Sequence, residues 1–111
     1  MKKINSKSLK EIGASHNSEI KKRVIIKSHE YNNLQMFSRV IFQPKQSSSP
    51  HTHNDMIEVF YVLSGKGIFH SKDKEIIVKK DDCISIPAGE EHWQNNPYSK
   101  PWELLYFGIK E

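Results

Sequence analysis

The stretch Pro50-His51-Thr52-His53-Asn54-Asp55-Met56-Ile57-Glu58 runs on into Val59-Phe60-Tyr61-Val62-Leu63 and stops at Ser64-Gly65. Ile57–Leu63 consists of β-branched, aromatic and aliphatic residues, the composition of a strand. The two-residue period of a strand puts Glu58, Phe60 and Val62 on one face and Ile57, Val59, Tyr61 and Leu63 on the other. Both faces are apolar apart from Glu58, so both require covering. His51 and His53 are two apart and project to the same side of an extended backbone. Glu58 follows His53 by five, an odd spacing that would put it on the opposite face of a straight strand. A bend at Asn54-Asp55 is therefore expected, and it turns the carboxylate to the side of the imidazoles.

A second stretch, Ile86-Pro87-Ala88-Gly89-Glu90-Glu91-His92-Trp93-Gln94-Asn95-Asn96, supplies a tight turn at Pro87–Gly89 and then a further histidine. Proline fixes φ and glycine accepts a positive φ, so the turn delivers His92 onto the next strand. Neutral imidazoles and a carboxylate are good ligands for divalent transition metals, and three His with one Glu leave coordination positions open. No cysteine joins the set, which favours an open, functional site over a closed structural zinc site.

Outward from these stretches the chain keeps one texture from Arg23 onward. Arg23–Lys27, Leu34–Gln43, Ile57–Leu63, Lys66–His70, Glu75–Lys79, Cys83–Ile86 and Trp102–Ile109 read as short strands, separated by Asn, Asp, Ser, Gly and Pro clusters. Many short strands without helical periods indicate an antiparallel sandwich or barrel. Residues 1–22 are polar and read as an N-terminal arm, with a short helix over Ser6–Ile12 and a turn at Gly13. Residues 23–111 make the barrel domain. Trp102–Ile109 is apolar on both faces like Ile57–Leu63, and a chain of 111 residues has little of its own to cover two faces. A homodimer is the expectation.

The paired stretches resemble the two motifs of the cupin superfamily, in its small single-domain, conserved-barrel form. The first motif reads Gly, five residues, His-x-His, three or four residues, Glu, six residues, Gly, and is matched by His51, His53, Glu58 and Gly65. The second reads Gly, five residues, Pro-x-Gly, two residues, His, three residues, Asn, and is matched by Pro87, Gly89, His92 and Asn96. Both leading glycines are missing, with Gln46 or a neighbour at the first position and Asp81 at the second. Those are turn positions, away from the ligands. The resemblance implies an all-β fold, a cupin-type antiparallel β-barrel (double-stranded β-helix or jelly roll), over residues 34–110. It also implies one divalent transition metal (iron, manganese, zinc or nickel) on His51, His53, Glu58 and His92.

Phe60, Val62 and Gln94 share the inward sense of Glu58 and His92 and are the expected pocket-lining residues. The expected function is binding or transformation of a small polar or carboxylate-bearing molecule at the metal. If the protein is an enzyme, the resemblance points to dioxygenase, isomerase or lyase chemistry. Thiol dioxygenases of this superfamily typically lack the glutamate that Glu58 supplies. A non-catalytic small-molecule or carbohydrate-binding sensor is the alternative, because no further acid or base stands out beside the ligand set.

The formal charge is +4, and eight of the 17 Lys and Arg lie before residue 28, Lys22 among them. They show no interleaved aromatics and no helix-turn-helix pattern, so they read as a solvated surface, and nucleic acid is not an expected partner. No apolar run approaches the ~20 residues of a membrane helix, and no apolar segment follows the opening lysines. A single cysteine, Cys83, fits a reducing, cytoplasmic setting and reads as a buried structural thiol. His16, His29 and His70 read as surface residues. Arg39 could meet an anion at the barrel mouth, though a salt bridge is the commoner fate of such a residue. Tyr98 and Trp102 could rim the opening.

Overall fold

The β-type runs do form strands, and the strands pair into two antiparallel sheets. The computed structural model describes residues 1–111. Its strands are β1 (Ile12–Ala14), β2 (Asn17–Ile26), β3 (Leu34–Phe42), β4 (Met56–Ser64), β5 (Lys66–Ser71), β6 (Glu75–Lys79), β7 (Cys83–Ile86), β8 (His92–Asn95) and β9 (Trp102–Lys110). Six of them lie in the order β1-β2-β3-β9-β4-β7, and the second sheet is β6-β5-β8. The segment around Ser47–His51 runs beside β8 through bridges Ser47 to Asn95 and His51 to His92. The sheets face one another as the two walls of an antiparallel barrel.

The N-terminal stretch differs from expectation. In place of a helix over Ser6–Ile12 there is one 3-10 turn, Ser6–Ser8, capped by the Asn5 side chain. Strand β2 begins at Asn17 and crosses the boundary drawn after residue 22. The reason is burial: the Ile20 side chain is 1% exposed, inside the core. Polar spacing hid this strand, since only every second residue of β2 meets the interior.

The core is built from inward positions of both sheets: Ile20, Val40, Phe42, Phe60, Val62, Phe69, Val78, Ile86, Trp102 and Leu104. It is concentrated at one end. Along the inner face of β9, Trp102 and Leu104 are fully buried in that end, while Tyr106 and Gly108 line a cavity at the other. Trp102 packs on Phe42 and Phe69, with ring centroids 5.0 and 5.6 Å away. The sequence placed Trp102 at the rim of the opening; the structure puts it at 0% exposure in the core. Room for the indole comes from Gly67, where a Cβ would stand 2.2 Å from a ring atom.

Two turns explain the motif glycines. Gly65 has φ +76° and approaches the Pro101 carbonyl so closely that a Cβ would lie 2.2 Å from its oxygen. Asp81, where the second motif has its leading glycine, takes φ +75°. Aspartate tolerates that left-handed conformation better than most residues. The Asp81 carboxylate also accepts a hydrogen bond from the Tyr61 hydroxyl (2.9 Å). At the first departure the positive φ falls on Lys45, at +72°, beside Gln46. The turns survive without their glycines.

Candidate metal centre

Three backbone arrangements carry the four side chains to one place. His51 and His92 are direct cross-strand partners, each N–H donating to the other's carbonyl at 3.0 Å. Their rings therefore project to the same side, with centroids 4.3 Å apart. The chain bends at Asn54-Asp55, as the odd spacing required, and β4 then starts at Met56. The Gly89 N–H donates to the His53 carbonyl (2.7 Å), so the Pro87–Gly89 turn is tied to the His51–His53 segment. Glu58 reaches across from β4 in the larger sheet. One ligand atom from each of His51, His53, Glu58 and His92 lies within 4.8 Å of the others.

The protonation pattern suits a cation. His51 Nδ1–H donates to the Ser49 carbonyl (2.8 Å), and His92 Nδ1–H donates to the Glu90 carbonyl (2.9 Å). In the neutral rings these bonds leave the Nε2 lone pairs aimed inward, the usual outer support of metal-binding histidines. His92 Nε2 stands 2.9 Å from Glu58 Oε1, and His53 Nε2 stands 3.5 Å from it. A lone pair facing a carboxylate needs something positive between them, a proton or a metal ion. Donors about 2.1 Å from one ion stand about 3.0 Å apart when adjacent and about 4.2 Å when opposite. Small side-chain adjustments bring this set onto one ion.

The metal-free electrostatics follow from the same contacts. Burial alone would lower His92, but its hydrogen bonds to Glu58 and to the Glu90 backbone hold it above the ordinary histidine value. Burial alone would raise Glu58; the His92 hydrogen bond and the charges of His53, His92 and His51 hold it below the ordinary carboxyl value. The two directions agree and describe a buried His92–Glu58 ion pair. Burial lowers His51 to about 4, against the pull of the Ser49 hydrogen bond. His51 therefore keeps its lone pair well into acid.

Three of these side chains, His51, His53 and Glu58, line a cavity of about 220 Å³ inside the barrel. That is smaller than the ~300–1,000 Å³ typical of drug-sized ligand pockets and suits a small metabolite. Phe60 and Gln94 line it, whereas Val62 lies deeper, in the packed core. Gln94 Oε1 accepts from Ser48 Oγ (2.8 Å), and its amide nitrogen has no partner.

The structure also places the residues that the sequence assigned to the surface, the core or the barrel mouth. His16 stacks on His51, with centroids 3.6 Å apart and planes 7° apart, and lines the cavity. Lys22, counted with the solvated basic residues, is 4% exposed and also lines the cavity. Its alternation with Ile20 was the signal that could have found it, once β2 is extended back to Asn17. His70 stacks on Trp93 and pairs with Asn95, half-buried in β5. Cys83 is exposed, because β7 ends the larger sheet and its outward face is uncovered. Arg39 pairs with Glu103 (2.5 Å) and with Ser6, outside the cavity.

Comparison with known proteins agrees with this geometry. A family model described as "Cupin domain" matches residues 38–108. An oxalate-binding protein of Thermotoga maritima is 29% identical over 82 residues, covering 74% of this chain and 68% of that protein. An acireductone dioxygenase of a Hydrogenobaculum species is 32% identical, covering 92% of this chain, which spans 60% of that enzyme's length. Among solved structures, a predicted oxalate decarboxylase from Thermotoga maritima superposes with a TM-score of 0.91 at 23% identity, over 99% of this chain and 100% of that one. A sugar phosphate isomerase from Silicibacter pomeroyi gives 0.82 at 18% identity, over 99% and 76%.

Proposed function

This chain belongs to the cupin family, and we propose that it holds one divalent transition metal on His51, His53, Glu58 and His92 and binds a small oxygen-chelating acid there. The observation that carries the reading is the inward convergence of three imidazole nitrogens and one buried carboxylate, with two rings fixed from behind by backbone carbonyls. Iron, manganese, zinc and nickel all suit this donor set. Bound there, the ion would supply Lewis acidity and open positions for a bidentate oxygen ligand. Phe60 excludes water from one wall, and the unpartnered Gln94 amide offers a hydrogen bond to a ligand oxygen. The similarity to an oxalate-binding protein supports a small acid as ligand. Binding without turnover and metal-dependent catalysis both remain within this reading, and turnover assays of the metal-loaded protein divide them.

Metal analysis of untagged protein, followed by thermal melts with oxalate, tests the proposal. Oxalate should stabilise the metal-loaded form and leave the metal-free form unmoved, since only binding to the folded state adds stability. Equal stabilisation of both forms would remove the metal from recognition. Acidity supplies a second readout. Below the raised His92 value the metal-free site carries a proton that metal must displace, so affinity should rise with pH and level off above that value. In the metal-free protein the His92 contribution to stability should run the other way. Stability from His92 is complete below the ordinary histidine value near 6.5 and is lost as pH rises through the raised one. Stability from Glu58 is present above its ordinary value and is lost as pH falls through the lowered one.

We also propose a homodimer in a reducing, cytoplasmic compartment, the latter supported by the single cysteine. The outer face of the larger sheet supports the dimer: Tyr61 is 40% and Ile109 is 39% exposed, beside half-buried Val59, Leu63 and Phe107. Light scattering at micromolar concentration should return about twice the 12.9 kDa chain mass. A monomer would mean this face stays in solvent.

A further inference from the structure

Lys22 is the one buried cation with no anion beside it. The residue is 4% exposed, on the inner face of β2, and it lines the same cavity as His51, His53 and Glu58. Its ammonium meets only the Met36 sulfur (3.0 Å) and the Tyr106 hydroxyl (3.3 Å). A thioether is a weak acceptor, and one phenol oxygen leaves an ammonium under-satisfied. Lys22 makes none of the protein's ion pairs. Tyr106 is half-buried, stacked on Phe60 with centroids 5.2 Å apart. A buried, unpaired ammonium is expensive in a fold, and a Met or Leu at the same position would fill the space at lower cost. The charge is therefore best explained by something that enters the cavity.

The charges in the cavity say what that is. Glu58 is the only carboxylate among the lining residues. With a divalent ion at the histidines and an ammonium at Lys22, a single glutamate leaves two positive charges unmatched. Apolar Met36, Val40 and Phe60 line the same space. We propose that the ligand is a small dianion: one end chelates the metal through two oxygens, and a second acidic group, joined by a short carbon spacer, pairs with Lys22 and accepts a hydrogen bond from Tyr106. Lys22 is then a specificity-determining residue that separates diacids from monoacids. This rests on the chelation reading above and narrows it to a ligand class.

Paired 2-hydroxy acids test it: malate against lactate, and 2-hydroxyglutarate against 2-hydroxybutyrate. Within each pair the chelating end is the same and only the distal carboxylate differs. Titrated into metal-loaded wild-type protein by calorimetry, at least one diacid should bind ten-fold or more tighter than its monoacid. Lys22→Met should bring that ratio to about one with metal content unchanged, and Lys22→Arg should restore part of it. Tyr106→Phe, which keeps the ring and removes the hydroxyl, should lower the ratio without abolishing it. Should Lys22→Met fold poorly, the wild-type ratio and its decrease in Tyr106→Phe still decide. Equal binding of monoacids and diacids by wild type would overturn the assignment, as would a preference that survives Lys22→Met. If none of the four acids binds metal-loaded protein, chelation itself fails, and the dianion assignment with it. If monoacids bind as well as diacids, chelation stands and only the role of Lys22 falls.

Discussion

The double variant His51→Ala/His53→Ala is expected to fall from about one bound metal ion per chain to background, with the far-ultraviolet β signature retained. Each substitution removes a nitrogen donor, and the two remaining ligands, Glu58 and His92, are already paired with each other at 2.9 Å. Altering even an outer partner of a metal ligand typically weakens binding by about 10–100-fold, so losing two direct donors should exceed about 100-fold. The fold should persist because neither histidine belongs to the core cluster. The His51–His92 bridge is made by backbone groups that alanine retains. Glu58→Gln should weaken binding less, since the amide keeps an oxygen donor, while the metal-free His92 loses its anion. Elemental analysis and circular dichroism on the same samples check both halves. Full stoichiometric metal in the double variant would place the ion elsewhere.

Trp102→Ala should produce the largest loss of stability in the chain. The indole is fully buried between Phe42 and Phe69, and the backbone at Gly67 is shaped to admit it. Truncating a buried Trp to Ala costs about 3–5 kcal/mol, a large share of the ~5–15 kcal/mol that holds a typical domain together. At about 4 °C per kcal/mol, the melting temperature should drop by roughly 12–20 °C. Denaturant melts should show a lower midpoint with an unchanged slope. A shift of only a few degrees would mean that the packed end of the barrel can collapse around the missing ring. Because Trp102 lies at the end opposite the candidate metal centre, metal content at low temperature should stay near that of wild type. This separates stability from site geometry in a way that the histidine variants cannot.

What the sequence determined by itself was local and periodic. Alternation in Ile57–Leu63 assigned Glu58, Phe60 and Val62 to the inner face, and in the structure all three are buried. The odd His53-to-Glu58 spacing demanded a bend, which occurs at Asn54-Asp55. Turn residues separated the strands, and two short motifs marked four side chains that the fold brings within 4.8 Å of one another. Such signals are legible because they depend on backbone geometry within a few residues. The depth of an inward side chain depends on which strands pair and where the barrel is packed, and no local pattern encodes that. Val62 and Phe60 share a face, yet only Phe60 reaches the cavity, because β4 runs from the open end into the core. Lys22 and His16 looked like surface residues among the polar residues 1–22, until β2 was paired with β3 and the Ile20 face turned inward. Cys83 looked like a core thiol from its apolar neighbour Ile84, but β7 ends the larger sheet, and its outer face is left open. Tertiary pairing alone decided these, since burial is a property of how strands from distant parts of the chain are stacked.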